Sequence, residues 1–289
     1  MLCSLQQSKR GKVVYSFQNF NVHLSLSLCY QISVINHSVS RWCFASTPLP
    51  ILCQKCHELG ISGLDLLTLD EIPIAQENGI ECAITAAHPD KNGVGTIEQG
   101  FNQLAHHVAL HAIYEKLIPA AADLGVKQVI CFSGNRDGLS DEAGLENCAA
   151  GLAPLIPLAE IHGVTLVMEL LNSKVDHPDY QCDHTAWGVA LCKKMSTDHF
   201  KLLYDIYHMH IMEDNVIRTI KDHHQHISHY HTAGAPGRNE FDATQELNYA
   251  AISSAIANTD YMGYIGQEYI PTTDDPFEFL PRAIELCSG

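Results

Sequence analysis

Residues Lys201–Asn215 read KLLYDIYHMHIMEDN. An apolar run, Leu202 and Leu203, enters Tyr204 and then Asp205, and His208 follows three residues later with no turn residue between. A solvated loop reads more polar than this, and a buried strand avoids an unpaired carboxylate. The stretch is therefore a strand that delivers an acid to a place where something compensates it. The neighbouring segments repeat the pattern. "TLVMELL" ends on Glu169, "ISHYHTAG" on His231 and "GYIGQEY" on Glu268.

Outward from this stretch the chain alternates short β-like runs with longer helical ones. The earlier candidate strands are "INHSVSRWCF", "GLDLLTL", "ECAITAA" and "QVICFSG", which makes eight in all. Helical patterns such as "TIEQGFNQLAHHVALHAIYEKLIPAAADLG" and "DEAGLENCAAGLAPLIPLAEIHG" lie between them. Gly60, Gly79, Gly125 and Gly163 stand where helices end before the next strand, as left-handed C-caps do. Eight β/α units predict an α/β fold, a (β/α)8 TIM barrel. A doubly wound sheet lacks support, because no GxGxxG follows the first strand.

Composition sets bounds. The 289 residues are 46% hydrophobic, enough for such a barrel, and no apolar run reaches the ~18 residues of a membrane span. The net charge of −16 (33 acidic, 17 basic) opposes phosphate backbones and hence nucleic-acid binding. The 11 cysteines form no framework and suit reduced thiols in a cytoplasm. Cys53 and Cys56 make a CxxC with no second pair, read as two cysteines of one helix. Of the 18 histidines, His106-His107-His111 and His223-His224-His226 read as polar helix faces. Residues 1–31 lack amphipathic order and read as a disordered extension outside the fold, with residues 32–289 forming the barrel. A degenerate export leader is the second reading of that extension.

A barrel of this kind carries its active site at the C-terminal ends of its strands. Glu169, Asp205, His231 and Glu268 end four consecutive strands there. Carboxylates with one imidazole suit Mn²⁺, Mg²⁺ or Co²⁺ and permit Zn²⁺. Such an ion answers the question of what compensates Asp205, since three converging carboxylates would otherwise repel. Glu169 and Glu268, facing each other across it, could move a proton between neighbouring carbons. That suits isomerisation of a small α-hydroxy carbonyl compound, through an enediolate.

"ELLNSKVDHPDY", "LLYDIYHMHIMEDNVIRTI", "HYHTAGAPGRNE", "ELNY" and "GYIGQEYIP" resemble the hydroxypyruvate isomerase family, of the xylose-isomerase-like TIM-barrel superfamily. The resemblance runs from about Ile35 to the C-terminus and is densest from Gln128 to Pro271. It implies that Glu169 and Glu268 are proton donor and acceptor. It also implies that both hold a divalent metal together with Asp205 and the seventh-strand residue. That residue departs from the pattern: hydroxypyruvate isomerase looks to carry Gln where this chain has His231, and the epimerase branch carries His.

Substrate-binding candidates are His208, matching a substrate-contacting histidine of the epimerases, and Arg238 of "APGRNE", which could grip a carboxylate bidentately. Arg136, beside Asn135 in "FSGNRDG", is a second cation for that task, and His88, His37 and Trp42 could line the pocket. Asn172 and Ser173 read as caps of the turn after Glu169. The expected activity is interconversion of hydroxypyruvate and tartronate semialdehyde. A ketose 3-epimerase or other sugar isomerase, an endonuclease IV-like zinc nuclease and a non-catalytic sugar-binding protein are the alternatives. The expected partner is a small molecule, with no nucleic acid and no membrane, in the cytoplasm; self-association into a homo-oligomer is left open.

Overall fold

Eight parallel strands close into a barrel in the computed structural model, which describes residues 6–7, 13–14, 35–242 and 244–289. The barrel lies within Ile35–Gly289. In the separate unit Met1–Val34, Gln6–Gln7 pairs antiparallel with Val13–Val14. The expectation of a disordered extension over residues 1–31 otherwise falls outside the described residues.

The strands are β1 (Asn36–Ser40), β2 (Gly63–Asp65), β3 (Glu81–Ala86), β4 (Gln128–Cys131), β5 (Thr165–Leu170), β6 (Phe200–Asp205), β7 (Ile227–Thr232) and β8 (Tyr264–Gln267). They pair in chain order, and β8 closes on β1. Between them run α1 (Leu49–Glu58), α2 (Glu71–Glu77), α3 (His107–Asp123), α4 (Asp141–Leu152), α5 (Ile156–His162), α6 (Thr185–Met195), α7 (Ile206–Met212), α8 (Val216–His223) and α9 (Tyr249–Ala257). Helix α10 (Leu280–Leu286) follows β8.

Helix α1 turns one stripe inward. On α1 the buried residues are Leu49, Leu52, Cys53 and Cys56, the i, i+3, i+4, i+7 spacing of a one-sided helix. The CxxC cysteines are thus core residues of a helix, as their sequence context suggests. Gly60, Gly79, Gly125 and Gly163 all have φ between +64° and +78°, so the four expected caps are present.

The departures from the expected elements are local. "RWCF" leaves β1 as a 3₁₀ turn, Arg41–Phe44. Residues 96–103 do not join α3, because Gly100 sits against the end of β4; a Cβ there would lie 2.2 Å from the Phe132 carbonyl oxygen. The helical run after Asp141 splits into α4, a 3₁₀ turn and α5, with prolines at the first turns of the last two. His106, His107 and His111 are half-buried and hydrogen-bond the carbonyls of Gly100, Phe101 and Gly151, so they fasten α3 rather than form a free polar face.

The barrel interior is divided. Ile84, Ile130, Val167 and Leu203, from β3 to β6, form an apolar plug. Asp65 is registered with Ile84 and His229 with Leu203, so polar groups take up the other half. No helix among the described residues is long and apolar enough to cross a membrane.

Candidate functional site

Register brings the four strand-end groups together. Asp205 pairs with His231, and His231 with Gly266, two residues before Glu268. Glu169 stands one strand away, paired with Leu203. Glu169, Asp205, His231 and Glu268 each offer one ligand atom within 4.8 Å of the others, and all four are buried. His231 Nδ1 lies 3.2 Å from Glu268 Oε2 and 3.5 Å from Glu169 Oε1.

The two oxygens of Asp205 have different tasks. Oδ1 accepts the His208 backbone N–H at 3.0 Å and caps α7. This is why the chain passes from strand to helix with no turn residue. Oδ2 has no hydrogen-bond partner, and neither has His231 Nδ1. Buried atoms of this kind are costly unless an additional group meets them. Two orphaned ligand atoms beside two further carboxylates fit a small divalent cation with oxygen and imidazole ligands.

Charge in the cluster is uneven. Burial pushes the Asp205 carboxyl up to about 7, with Arg238 opposing and Glu268 adding to the rise. Burial would raise Glu268 too, but His231 and Arg238 outweigh it and hold Glu268 well below the usual carboxylate range. His231 would be lowered by burial; the Glu268 carboxylate and contacts with Asp65 and Glu169 instead carry it well above its ordinary value.

Glu268 is gripped by three donors. Ser40 Oγ and Trp42 Nε1 reach Oε1 at 2.9 and 2.8 Å, and Arg238 Nη2 reaches Oε2 at 2.6 Å. Arg238 is also 3.8 Å from Asp205 Oδ2, and its guanidinium lies over Trp42 and Tyr207 at 5.2 and 5.8 Å. Its backbone φ is +59°, an uncommon conformation for a side-chain-bearing residue, and its Nε is buried without a partner.

His208 is buried, and its tautomer follows from its neighbour. Asn172 Oδ1 accepts the N–H groups of Val175 and Asp176 at 3.0 and 2.8 Å, which fixes the amide. Its Nδ2 therefore faces Asp176 Oδ2 and His208 Nδ1, both at 2.6 Å. Nδ1 must accept, so the proton of the neutral ring is on Nε2, an atom with no partner, 3.7 Å from Asp205 Oδ2. Burial, then Arg238 and His177, hold His208 well below its ordinary pKa, which keeps it neutral. Asn172 does cap its turn, as expected, and orients a ring as well.

Other anticipated residues lie elsewhere. Arg136 is committed to Asp141 and, at 3.0 Å, to Asp183, so Arg238 is the guanidinium that meets the cluster. His37 faces Ser288 Oγ at 3.3 Å. His88 is exposed on the loop after β3, and Asn135 bridges to Tyr180 through its backbone. Ser173 binds Asp183. Asp65, Ser38, Ser40 and His229, none of them anticipated from the sequence, adjoin the cluster. Asp65 carried the same signal as Asp205, an acid inside an apolar strand, but it stands on β2.

The family model of the xylose isomerase-like TIM barrel matches residues 58–284 of the chain. The chain belongs to this family. This xylose isomerase-like barrel is similar to a putative hydroxypyruvate isomerase of Homo sapiens, 25% identical over 240 residues, 81% of this chain and 78% of that one. It is 35% identical to a 2-oxo-tetronate isomerase of Cupriavidus necator over 113 residues, 39% of this chain and 43% of the relative. The chain spans about half the length of several curated relatives it matches. An AP endonuclease, family 2, from Brucella melitensis superimposes with a TM-score of 0.75 at 22% identity, over 84% of this chain and 96% of that structure. At that identity the likeness concerns fold alone.

Proposed function

We propose that this chain is a divalent-metal-dependent isomerase of small α-hydroxy carbonyl compounds, with hydroxypyruvate and tartronate semialdehyde as its pair. The observation that carries the reading is the buried quartet with two orphaned ligand atoms, Asp205 Oδ2 and His231 Nδ1. Glu169, Asp205, His231 and Glu268 would hold the ion. When bound, it supplies Lewis acidity that stabilises negative charge on the substrate's two oxygens.

The side chains divide the remaining work. Glu268, kept ionised by its three donors, takes the C–H proton from the hydroxyl-bearing carbon. The C–H bonding pair becomes the C=C bond of an enediolate, and the carbonyl pair moves onto oxygen. Glu169, which enters the step protonated, gives its proton to the neighbouring carbon, and the pair resets when Glu268 releases the captured proton to solvent and Glu169 takes one up. The hydroxyl proton is lost from one oxygen and regained on the other, so no atom is gained overall. His208 Nε2–H donates to a substrate oxygen, and Arg238 places the substrate carboxylate through its unpartnered Nε. Acid–base assistance of this type is worth about 10²–10⁴-fold.

Purified protein should convert hydroxypyruvate to tartronate semialdehyde with added Mn²⁺ and lose that activity on chelation. Absent turnover with Mn²⁺ bound would move the assignment to a ketose 3-epimerase. Two observations favour that second reading: His231 at the position where the epimerase branch carries His, and Arg136 tied to Asp141 and Asp183. The latter leaves Arg238 as the cation at the cluster.

Metal capture should depend on pH with a definite sign. The Asp205 carboxyl, raised to about 7, and the protonated His231 must both lose protons to ligate. Affinity therefore falls as pH drops through neutrality, by about tenfold per pH unit for each proton displaced. Calorimetric titration with Mn²⁺ at pH 8 and pH 6 should give a much weaker Kd at pH 6. Equal values would contradict ligation by these two groups.

A further inference from the structure

Asp65 lies below the quartet, inside the barrel, and is completely buried. It comes from β2, yet its partners come from β1 and β7. Its Oδ2 accepts from Ser38 Oγ at 2.9 Å and from His229 Nε2 at 2.9 Å, and lies 3.3 Å from His231 Nε2. The interior of β8 is left open for this meeting. A Cβ added to Gly266 would stand 2.2 Å from Asp65 Oδ2 and 2.8 Å from His231 Cδ2. His229 and His231 are two residues apart on one strand, so they share the inward face; their rings meet at 5.1 Å and 87°.

This arrangement decides which nitrogen of His231 is available. An ionised carboxylate only accepts hydrogen bonds. The nitrogen that faces Asp65, Nε2, therefore carries the hydrogen. When the ring gives up its second proton to ligate, it is Nδ1, the nitrogen that faces Glu169 and Glu268, that is left with the lone pair. Asp65 itself is held in place by Ser38 and His229, which already donate to the same oxygen. A carboxylate behind a ligating imidazole fixes the ring's tautomer and orientation and raises its basicity.

We propose that Asp65 is a positioning residue for metal capture, holding His231 with hydrogen on Nε2 and Nδ1 offered to the cation, with Ser38 and His229 as its own supports. The proposal rests on the reading of the quartet as a metal site.

The test uses the full chain, stripped with chelator and titrated calorimetrically with Zn²⁺, as wild type, D65N and D65A. Wild type should bind one Zn²⁺. D65A should weaken binding by about 10–100-fold, with D65N between the two and far-UV circular dichroism of the metal-free proteins unchanged. Long-range ¹H–¹⁵N spectra of the Zn²⁺-loaded wild type should show His231 with hydrogen on Nε2. A wild type that binds no Zn²⁺ would overturn the quartet reading and this proposal together. A wild type that binds, with D65A and D65N within twofold of it, would overturn the role of Asp65 and leave the metal site standing. Should D65A not fold, the loaded wild-type spectrum and D65N decide: hydrogen on Nδ1 with Nε2 on the metal, or unaltered affinity in D65N, overturns the proposal.

Discussion

The E268Q variant should lose about 10²–10⁴-fold in kcat on hydroxypyruvate while its far-UV circular dichroism stays that of the wild type. The amide is nearly isosteric with the carboxylate, and its oxygen can still accept from Ser40 and Trp42, which meet Oε1. Its nitrogen would then face the Arg238 guanidinium, which meets Oε2 at 2.6 Å, donor against donor. The variant thus loses a base, a ligand and an ion pair in one change, so metal affinity must be measured beside kcat. E169Q separates these effects, because the guanidinium contacts Glu268 and Asp205 instead. Both single variants should be crippled, and the double variant hardly worse than either, as befits two groups acting as one unit. Near-normal kcat in metal-saturated E268Q would sink the two-glutamate mechanism.

The parts of this reading that were legible in the sequence share a physical cause. An acid at the end of an apolar strand, or a glycine after a helical run, is a signal contained in its own segment, because burial and backbone conformation are local demands. Asp205 is the clearest instance: one oxygen caps α7, as an N-cap does, and the other has no partner, as the proposed ligand atom requires. Asp65 bears the same local signal, an acid inside an apolar strand, on β2. Its meaning lies in His229 and His231, 164 residues and more away in the chain, reached across the barrel interior. The same limit explains Arg136. Nothing in "FSGNRDG" announces that Asp183, from the segment before α6, will claim its guanidinium. Arg238, by contrast, lies in a motif and in an uncommon backbone conformation, and it does meet the cluster. Side chains whose partners come from another β/α unit are where the sequence falls silent.

Replacing Asp205 by Asn should invert the usual cost of a core substitution. Asn retains the cap, since its Oδ1 can accept the His208 N–H as Asp does. It removes a buried carboxylate whose charge burial opposes, so the metal-free variant should melt at or above the wild-type temperature at pH 8. The sign follows from linkage. A carboxyl raised from 3.8 to about 7 on folding costs nothing below its unfolded value, and the cost grows until the pH passes the folded one. The advantage of Asn should therefore fade as pH falls from 8 towards 4. In Mn²⁺ the order reverses. A ligand at 100 times its Kd stabilises by about 2.7 kcal/mol, and the wild type should show that rise in melting temperature while D205N should not. Asp205→Ala discards the cap as well and should cost about 1 kcal/mol relative to Asn. Paired melting curves, with Mn²⁺ and with chelator, read all of this at once. A D205N protein that is both less stable without metal and equally stabilised by it would mean that Asp205 serves the fold and holds no ion.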